Sequence, residues 1–208
     1  MKIVEIFHSL QGEGNNIGKP TVFIRTAGCN LRCGWCDTRY AWDGGEKMSV
    51  QEILERVKRF DTQQVCITGG EPLLQDELNE LIDGLLKMDK KVDIQTNGSL
   101  DISDLVKKDV SVSMDYKTPS SGMKDKMLKE NIKRLRKRDE LKFVIADQKD
   151  FKYAVDLLRG HEYLSNIIFQ PEGGEDLKEL AEWVLEEDID VRVLPQLHKI
   201  IWGDERGV

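Results

Sequence analysis

Hydrophobic positions along this chain change their spacing repeatedly. From residue 64 onward, short runs of strand-forming residues alternate with stretches whose apolar positions recur at helical spacing. The strand-like runs fall near 64–68, 91–95, 110–115, 141–146, 165–170 and 190–194. Ile53, Leu54 and Val57 precede the first of them; Leu78, Leu81, Ile82 and Leu85 follow it; Leu177, Leu180, Val184 and Leu185 precede the last. Strand and helix in alternation predict βα units around a parallel sheet, with the apolar stripe of each helix turned to the core. Ahead of these units, Lys2 to Arg25 reads as two extended segments, Ile3–His8 and Thr21–Thr26, joined by the glycine-rich stretch Gln11–Gly18.

In parallel sheets, ligands collect beyond the carboxyl ends of the strands, where loops vary without disturbing the core. Five segments occupy such ends here: a cysteine-rich loop after Thr26, Thr68–Pro72, Thr96–Gly98, Asp115–Pro119 and Gln170–Gly174. One shared cleft is expected. The predicted fold is α/β, a partial, open (β/α) barrel of the TIM-like kind, with a doubly wound sheet as the other arrangement the pattern permits. A length of 208 residues, 39% of them hydrophobic, suits one core. The expected organisation is therefore a single domain over 1–208: N-terminal strands (1–28), the cysteine loop (29–38), βα units (64–194) and a C-terminal tail (195–208).

Composition narrows the range of partners. A formal charge of −7 disfavours a dedicated nucleic-acid binder, because phosphate contacts require clustered Lys and Arg. The one basic run, Lys133, Arg134, Arg136, Lys137 and Arg138, reads as a solvated helix face. A small-molecule substrate fits better. Met1–Val4 lead straight into a strand pattern, and no stretch of roughly eighteen apolar residues occurs, so a soluble cytoplasmic protein without membrane contact is expected.

Three of the four cysteines fall within residues 29–36, in Gly28-Cys29-Asn30-Leu31-Arg32-Cys33-Gly34-Trp35-Cys36-Asp37. That clustering points to a metal site in a reducing compartment rather than to disulfides. Cys66, within the apolar run Val65–Ile67, reads as a small buried hydrophobe. Tetrahedral zinc ordinarily takes four protein ligands, and His8, His161 and His198 lie at no paired spacing from the cysteines. Three thiolates can instead wrap a [4Fe-4S] cluster and leave one iron open. Thr68-Gly69-Gly70-Glu71-Pro72 follows a buried strand and precedes a helix, and its paired glycines would let a ligand lie against the backbone.

Cysteine spacing and glycine motif together resemble the radical SAM superfamily. That resemblance implies a [4Fe-4S] cluster on Cys29, Cys33 and Cys36, S-adenosylmethionine (SAM) on its open iron, and a low-potential electron donor such as flavodoxin or ferredoxin. Within the superfamily, Phe7-His8-Ser9-Leu10-Gln11-Gly12-Glu13-Gly14, Phe23-Ile24-Arg25, Trp35-Cys36-Asp37-Thr38, Thr96-Asn97-Gly98, Pro119-Ser120-Ser121-Gly122 and Gln196-Leu197-His198-Lys199 resemble the 7-carboxy-7-deazaguanine synthase family over nearly the whole chain. The implied reaction converts 6-carboxy-5,6,7,8-tetrahydropterin to 7-carboxy-7-deazaguanine, with ring contraction and loss of ammonia, on the route to queuosine or archaeosine. A homodimer and an assisting Mg2+ on Thr38 are implied as well.

By the same resemblance, SAM is expected against Trp35, Cys36, Asp37, Gly70, Glu71, Ser113, Asp115, Lys117 and the loop Gln170, Pro171, Glu172, Gly173. Substrate is expected against Leu10, Gln11, Gly12, Arg25 and Thr68, the fork of Arg25 being suited to a carboxylate. The string Ser113-Met114-Asp115-Tyr116-Lys117 is longer than the serine-proline-lysine of bacterial relatives, and the tail after His198 is longer than in relatives that stop soon after the lysine. Two other readings are compatible with the cysteines alone: a glycyl-radical-enzyme activase, and a non-catalytic iron–sulfur or zinc-binding module.

Overall fold

A computed structural model of the chain describes residues 1–174 and 176–208. Its strands are β1 (Lys2–Leu10), β2 (Pro20–Thr26), β3 (Glu46–Lys47), β4 (Gln64–Gly69), β5 (Lys91–Thr96), β6 (Ser111–Asp115), β7 (Glu140–Ile145), β8 (Asn166–Pro171) and β9 (Arg192–Val193). The helices are α1 (Val50–Val57), α2 (Leu78–Lys87), α3 (Glu130–Arg134), α4 (Gln148–Arg159), α5 (Lys178–Glu187) and α6 (Leu197–Trp202). All nine strands form one sheet in the order β3-β1-β2-β4-β5-β6-β7-β8-β9. From β2 to β9 every pairing is parallel, whereas β1 runs antiparallel to both β2 and β3. From β2 through β4 to β9 the order never reverses, which excludes a doubly wound sheet. Because β3 and β9 are separate edges, the barrel is open.

Each parallel strand has two chemically different faces, as the period of two requires. Val22 and Ile24, Val65 and Ile67, Val92 and Ile94, Val112 and Met114, and Leu141 and Phe143 join one continuous core with the helices. The alternate positions carry Phe23 and Arg25, Cys66 and Thr68, Asp93 and Gln95, Ser111 and Ser113, and Glu140 and Lys142. Register sets Arg25 beside Thr68 and Ser113 beside both Gln95 and Glu140, so this inner face is polar. Among its members, Cys66 is fully buried, and burial pushes its thiol up.

Local signals fix the helices. Ser49 and Glu52 form a reciprocal capping box at the start of α1, and the Asp147 carboxylate accepts the Asp150 N–H at the start of α4. Two of the crossovers are not the helices that alternation predicts: residues 97–110 hold only a short turn at Leu105–Lys107, and residues 116–139 hold the five-residue α3. Polar staples replace helical packing there. Buried Asn131 donates to the carbonyls of Gly98 and Leu100 and accepts from the Ile102 N–H, tying one crossover to the other.

The basic run departs from a solvated helix face. Helix α3 ends at Arg134, and Arg136 turns inward. Its guanidinium donates to the carbonyls of Val106, Lys108 and Val110 and to the fully buried carboxylate of Asp139, which also accepts the Val112 N–H. One arginine thereby closes the ends of both helix-poor crossovers. Arg136→Ala should therefore lower stability by about 3 kcal/mol, since it leaves Asp139 buried and unpaired, while Lys137→Ala should stay within about 0.5 kcal/mol. Urea denaturation of the two variants compares them directly.

Candidate functional site

The inner face of the sheet opens at its carboxyl end into a cavity of roughly 270 Å³. Cys29, Cys33 and Cys36 all line it, on the loop that follows β2. That loop is clipped from several sides: Arg32 donates to the carbonyls of Cys29 and Leu31, Arg39 to that of Gly34, and the Gly34 N–H to that of Ser121. The Gly28 carbonyl accepts the Glu71 N–H at 2.8 Å, and the Thr26 carbonyl accepts the Gly70 N–H at 3.1 Å. A Cβ on Gly70 would overlap Gly28, and one on Gly69 would overlap Thr26. The glycine pair is thus required first by two backbones in contact, and the ledge it leaves forms part of the cavity wall.

Burial pushes the Cys33 thiol up to about 11 and raises that of Cys29, with Lys117 opposing both shifts. Such thiols stay protonated until a cation compensates, as metal binding requires. The Leu31 N–H points to Cys29 Sγ at 3.4 Å, and Asn97 Nδ2 lies 4.0 Å from it. Among the described residues no three His, Cys, Asp or Glu side chains gather around one point. Three thiols on one loop are the donor set a [4Fe-4S] cluster would take, whereas a structural zinc site takes four protein ligands.

Floor and wall are joined by a row of buried charges. The segment Leu10–Glu13 enters the barrel from the amino end of the strands, fastened by the Gln11 N–H to Lys19 and the Gly18 N–H to Gln11. Lys142 on β7 pairs with Glu13 and lies 3.6 Å from Asp115; Asp115 lies 3.0 Å from Lys117; and the Lys117 ammonium sits 4.8 Å from the centroid of Trp35. Gln196 Nε2 donates to the other oxygen of Glu13 at 2.6 Å. Burial raises the Glu13 carboxyl, but Lys142 and Gln196 outweigh it and hold Glu13 at about 2. Burial opposes the charge on Lys142 and Lys117 as well, and the carboxylates beside them prevail, Glu13 and Asp115 for the one and Asp115 for the other.

At the mouth, Glu5 Oε1 accepts from Arg25 Nε at 2.6 Å and from the Tyr40 hydroxyl at 3.1 Å. Thr68 Oγ1 donates to Gln95 Oε1 at 2.8 Å, one row across the sheet. Thr38 Oγ1 donates to Asp37 at 2.8 Å. The C-terminal segment seals the open side of the barrel: the Leu197 N–H donates to the Gly12 carbonyl, the Gln196 N–H to that of Gly174, and the His198 ring lies so close to Gly12 that a Cβ there would collide with it.

The expected site residues assemble with two exceptions. Leu10, Gln11, Gly12, Arg25, Trp35, Asp37, Thr38, Thr68, Gly70, Ser113, Asp115, Lys117, Pro171, Glu172 and Gly173 line the cavity together with the cysteines. Glu71 and Gln170 stand behind it. Fully buried Glu71 accepts from the N–H groups of Leu73 and Asn97 and from Thr96 Oγ1, while Gln170 Nε2 donates to the Pro195 carbonyl. Of the histidines, His198 is at the wall; His8 meets Thr62 and His161 the Leu157 carbonyl. Sequence reasoning passed over Tyr40, Gln95, Lys142 and Gln196. Lys142 carried a signal, being a charge set between the apolar Leu141 and Phe143 in a strand-forming run.

Residues 23–184 match the model of the Radical SAM superfamily. A 7-carboxy-7-deazaguanine synthase from Thermoplasma acidophilum is 43% identical over 209 residues, covering 100% of both chains. One from Methanospirillum hungatei is 43% identical over 202 residues, 97% of this chain and 85% of its own. Among solved structures, QueE from Escherichia coli matches with a TM-score of 0.75 at 27% identity over 92% of each chain. Streptococcus suis SuiB, solved with S-adenosylmethionine, has a TM-score of 0.58 at 15% identity over 81% of this chain and 48% of its own, a likeness of fold.

Two outcomes follow from this geometry. Gly12→Ala should drive His198 off the floor and loosen the C-terminal segment, detected as faster limited proteolysis beyond Leu194 at unchanged secondary structure. Glu13→Gln should cost about 2–3 kcal/mol at pH 7. Since the folded Glu13 lies below its ordinary value, its contribution is present above about pH 4.5 and fades toward pH 2. The urea midpoints of variant and parent should accordingly converge as pH falls from 4.5 to 3.

Proposed function

The chain belongs to the 7-carboxy-7-deazaguanine synthases of the radical SAM superfamily, and we propose that its cavity converts 6-carboxy-5,6,7,8-tetrahydropterin to 7-carboxy-7-deazaguanine, with ring contraction and loss of ammonia. The single observation that carries this reading is that three cysteine thiols, Arg25 and the Leu10–Gly12 backbone line one cavity. Cys29, Cys33 and Cys36 would hold a [4Fe-4S] cluster. When bound and reduced, that cluster and SAM supply a 5′-deoxyadenosyl radical for hydrogen abstraction.

The chain's own residues bind and orient. Arg25 receives the substrate carboxylate, its Nε already taken by Glu5 and its two Nη groups left for a bidentate contact. Gln11, the backbone of Leu10 and Gly12, and Thr68 meet the pterin edge. Thr38, oriented by its hydrogen bond to Asp37, offers one oxygen to Mg2+, completed by substrate and water. Trp35, Asp37, Gly70, Ser113, Asp115, Lys117 and Pro171–Gly173 surround SAM, with Glu71 and Gln170 positioning the loops that reach it. The buried charge row and the C-terminal segment exclude bulk water from the floor. By the family resemblance, the enzyme works as a cytoplasmic homodimer over all of 1–208, reduced by flavodoxin or ferredoxin, and feeds queuosine or archaeosine synthesis.

Anaerobic assay of the iron- and sulfide-reconstituted protein decides the reading. The expected result is 7-carboxy-7-deazaguanine formed over many turnovers per SAM; SAM consumed one for one, or no product, would overturn it. Arg25→Ala should raise the KM for the carboxypterin by about 10–100-fold, the value of a charged hydrogen bond, while SAM cleavage stays measurable. Combining it with Glu5→Gln removes the repulsion of an unpaired carboxylate, and an unchanged KM in both backgrounds would refute the role of Arg25.

A further inference from the structure

The mouth of the cavity carries a second guanidinium beside that of Arg25. Arg25 is paired: its Nε donates to Glu5, so the two charges balance. A second guanidinium stands beside them. Arg206 lies 3.8 Å from the centroid of the Tyr40 ring, whose other arginine neighbour, Arg25, lies at 5.8 Å. Tyr40 is itself fixed by its hydroxyl on Glu5. Among the described residues, Arg206 forms no salt bridge, and the nearest tail acid known to pair, Asp204, is matched with Lys199. Glu5 and Arg25 neutralise one another, and Arg206 adds a guanidinium with no ion pair among the described residues, in a lining whose acids include Asp37, Glu172 and Glu205.

The tail is held where that charge counts. Glu205, Arg206, Gly207 and Val208 all line the cavity, although Arg206 is exposed, and its guanidinium stacks on the Tyr40 ring. An arginine stacked on a ring keeps its planar edge of N–H donors available, and that edge matches a carboxylate. The docking of Leu197 on Gly12 and of Gln196 on Glu13 carries the chain across the floor before it reaches Tyr40.

We propose that Arg206, on the C-terminal segment, is a second carboxylate-recognising residue of this site, which acts with Arg25 to select carboxylated over uncarboxylated pterins. The inference rests on the pterin reading above and assigns it a specificity-determining residue. Binding to the SAM-loaded, reconstituted holoenzyme under anaerobic conditions tests it, with two unreactive oxidised probes, 6-carboxypterin and pterin. Arg206→Gln should weaken 6-carboxypterin by about 10-fold or more while moving pterin less than about twofold, and Arg206→Lys should recover part of the loss. Equal loss for both probes would make Arg206 a packing residue for Tyr40 and overturn the proposal, as would no loss for either. Failure of the unaltered enzyme to bind 6-carboxypterin would instead refute the substrate reading, and this inference with it.

Discussion

Glu13, Lys142, Asp115 and Lys117 form a row of alternating charge, its lysines buried and its acids half-buried, on which the interior of this barrel depends. Removing four charges from water is expensive, and such a row is tolerated only where each member has an opposite partner at close range. Here each one does. Glu13 lies on the segment that enters from the amino end of the strands, Lys142 on β7, Asp115 at the end of β6, and Lys117 just beyond it under Trp35 of the cysteine loop. The row therefore connects the floor of the cavity to its roof. An apolar row of equal volume would pack as well, but it would leave the inserted segment without a register and the cavity without polar walls.

That arrangement is possible because the sheet separates two environments. Its outer face, packed against α1, α2, α4 and α5, supplies the cohesion expected of a core and leaves the inner face available for polar side chains. Few contacts secure the polar interior: the inserted segment below, the cysteine loop above, and the C-terminal segment along the open side. Each is fixed by backbone approaching backbone or ring at a glycine, Gly70 against Gly28 and Gly12 against His198. Close approach of this kind tolerates no side chain, so glycine is required where these loops meet their neighbours.

Several features of the site were legible because they are local. Cysteines separated by three and two intervening residues must share a loop, and glycines after a buried strand must mark a turn at its carboxyl end. The βα pattern placed Thr68 and Asp115 at the carboxyl ends of their strands before any pairing was known, whereas Ser113 came only from the family resemblance. Other features depended on partners distant in sequence. Arg136 belonged to a run that looked like a solvated face, and only its encirclement by Asp139 and three carbonyls turned it inward. Glu71 occupied a ligand motif, yet its carboxylate is consumed by Leu73, Thr96 and Asn97.

The sequence by itself determined the family, the parallel sheet and the cysteine loop, since hydrophobic period and short motifs act within a few residues of one another. Tertiary structure alone decided between the expected open barrel and a doubly wound sheet, joined Lys142 on the floor to Asp115, and brought the tail's Arg206 over Tyr40. These depend on which distant groups meet in the interior. There the low dielectric makes every unpaired charge costly, so the pairing is set by the whole fold and by no single segment.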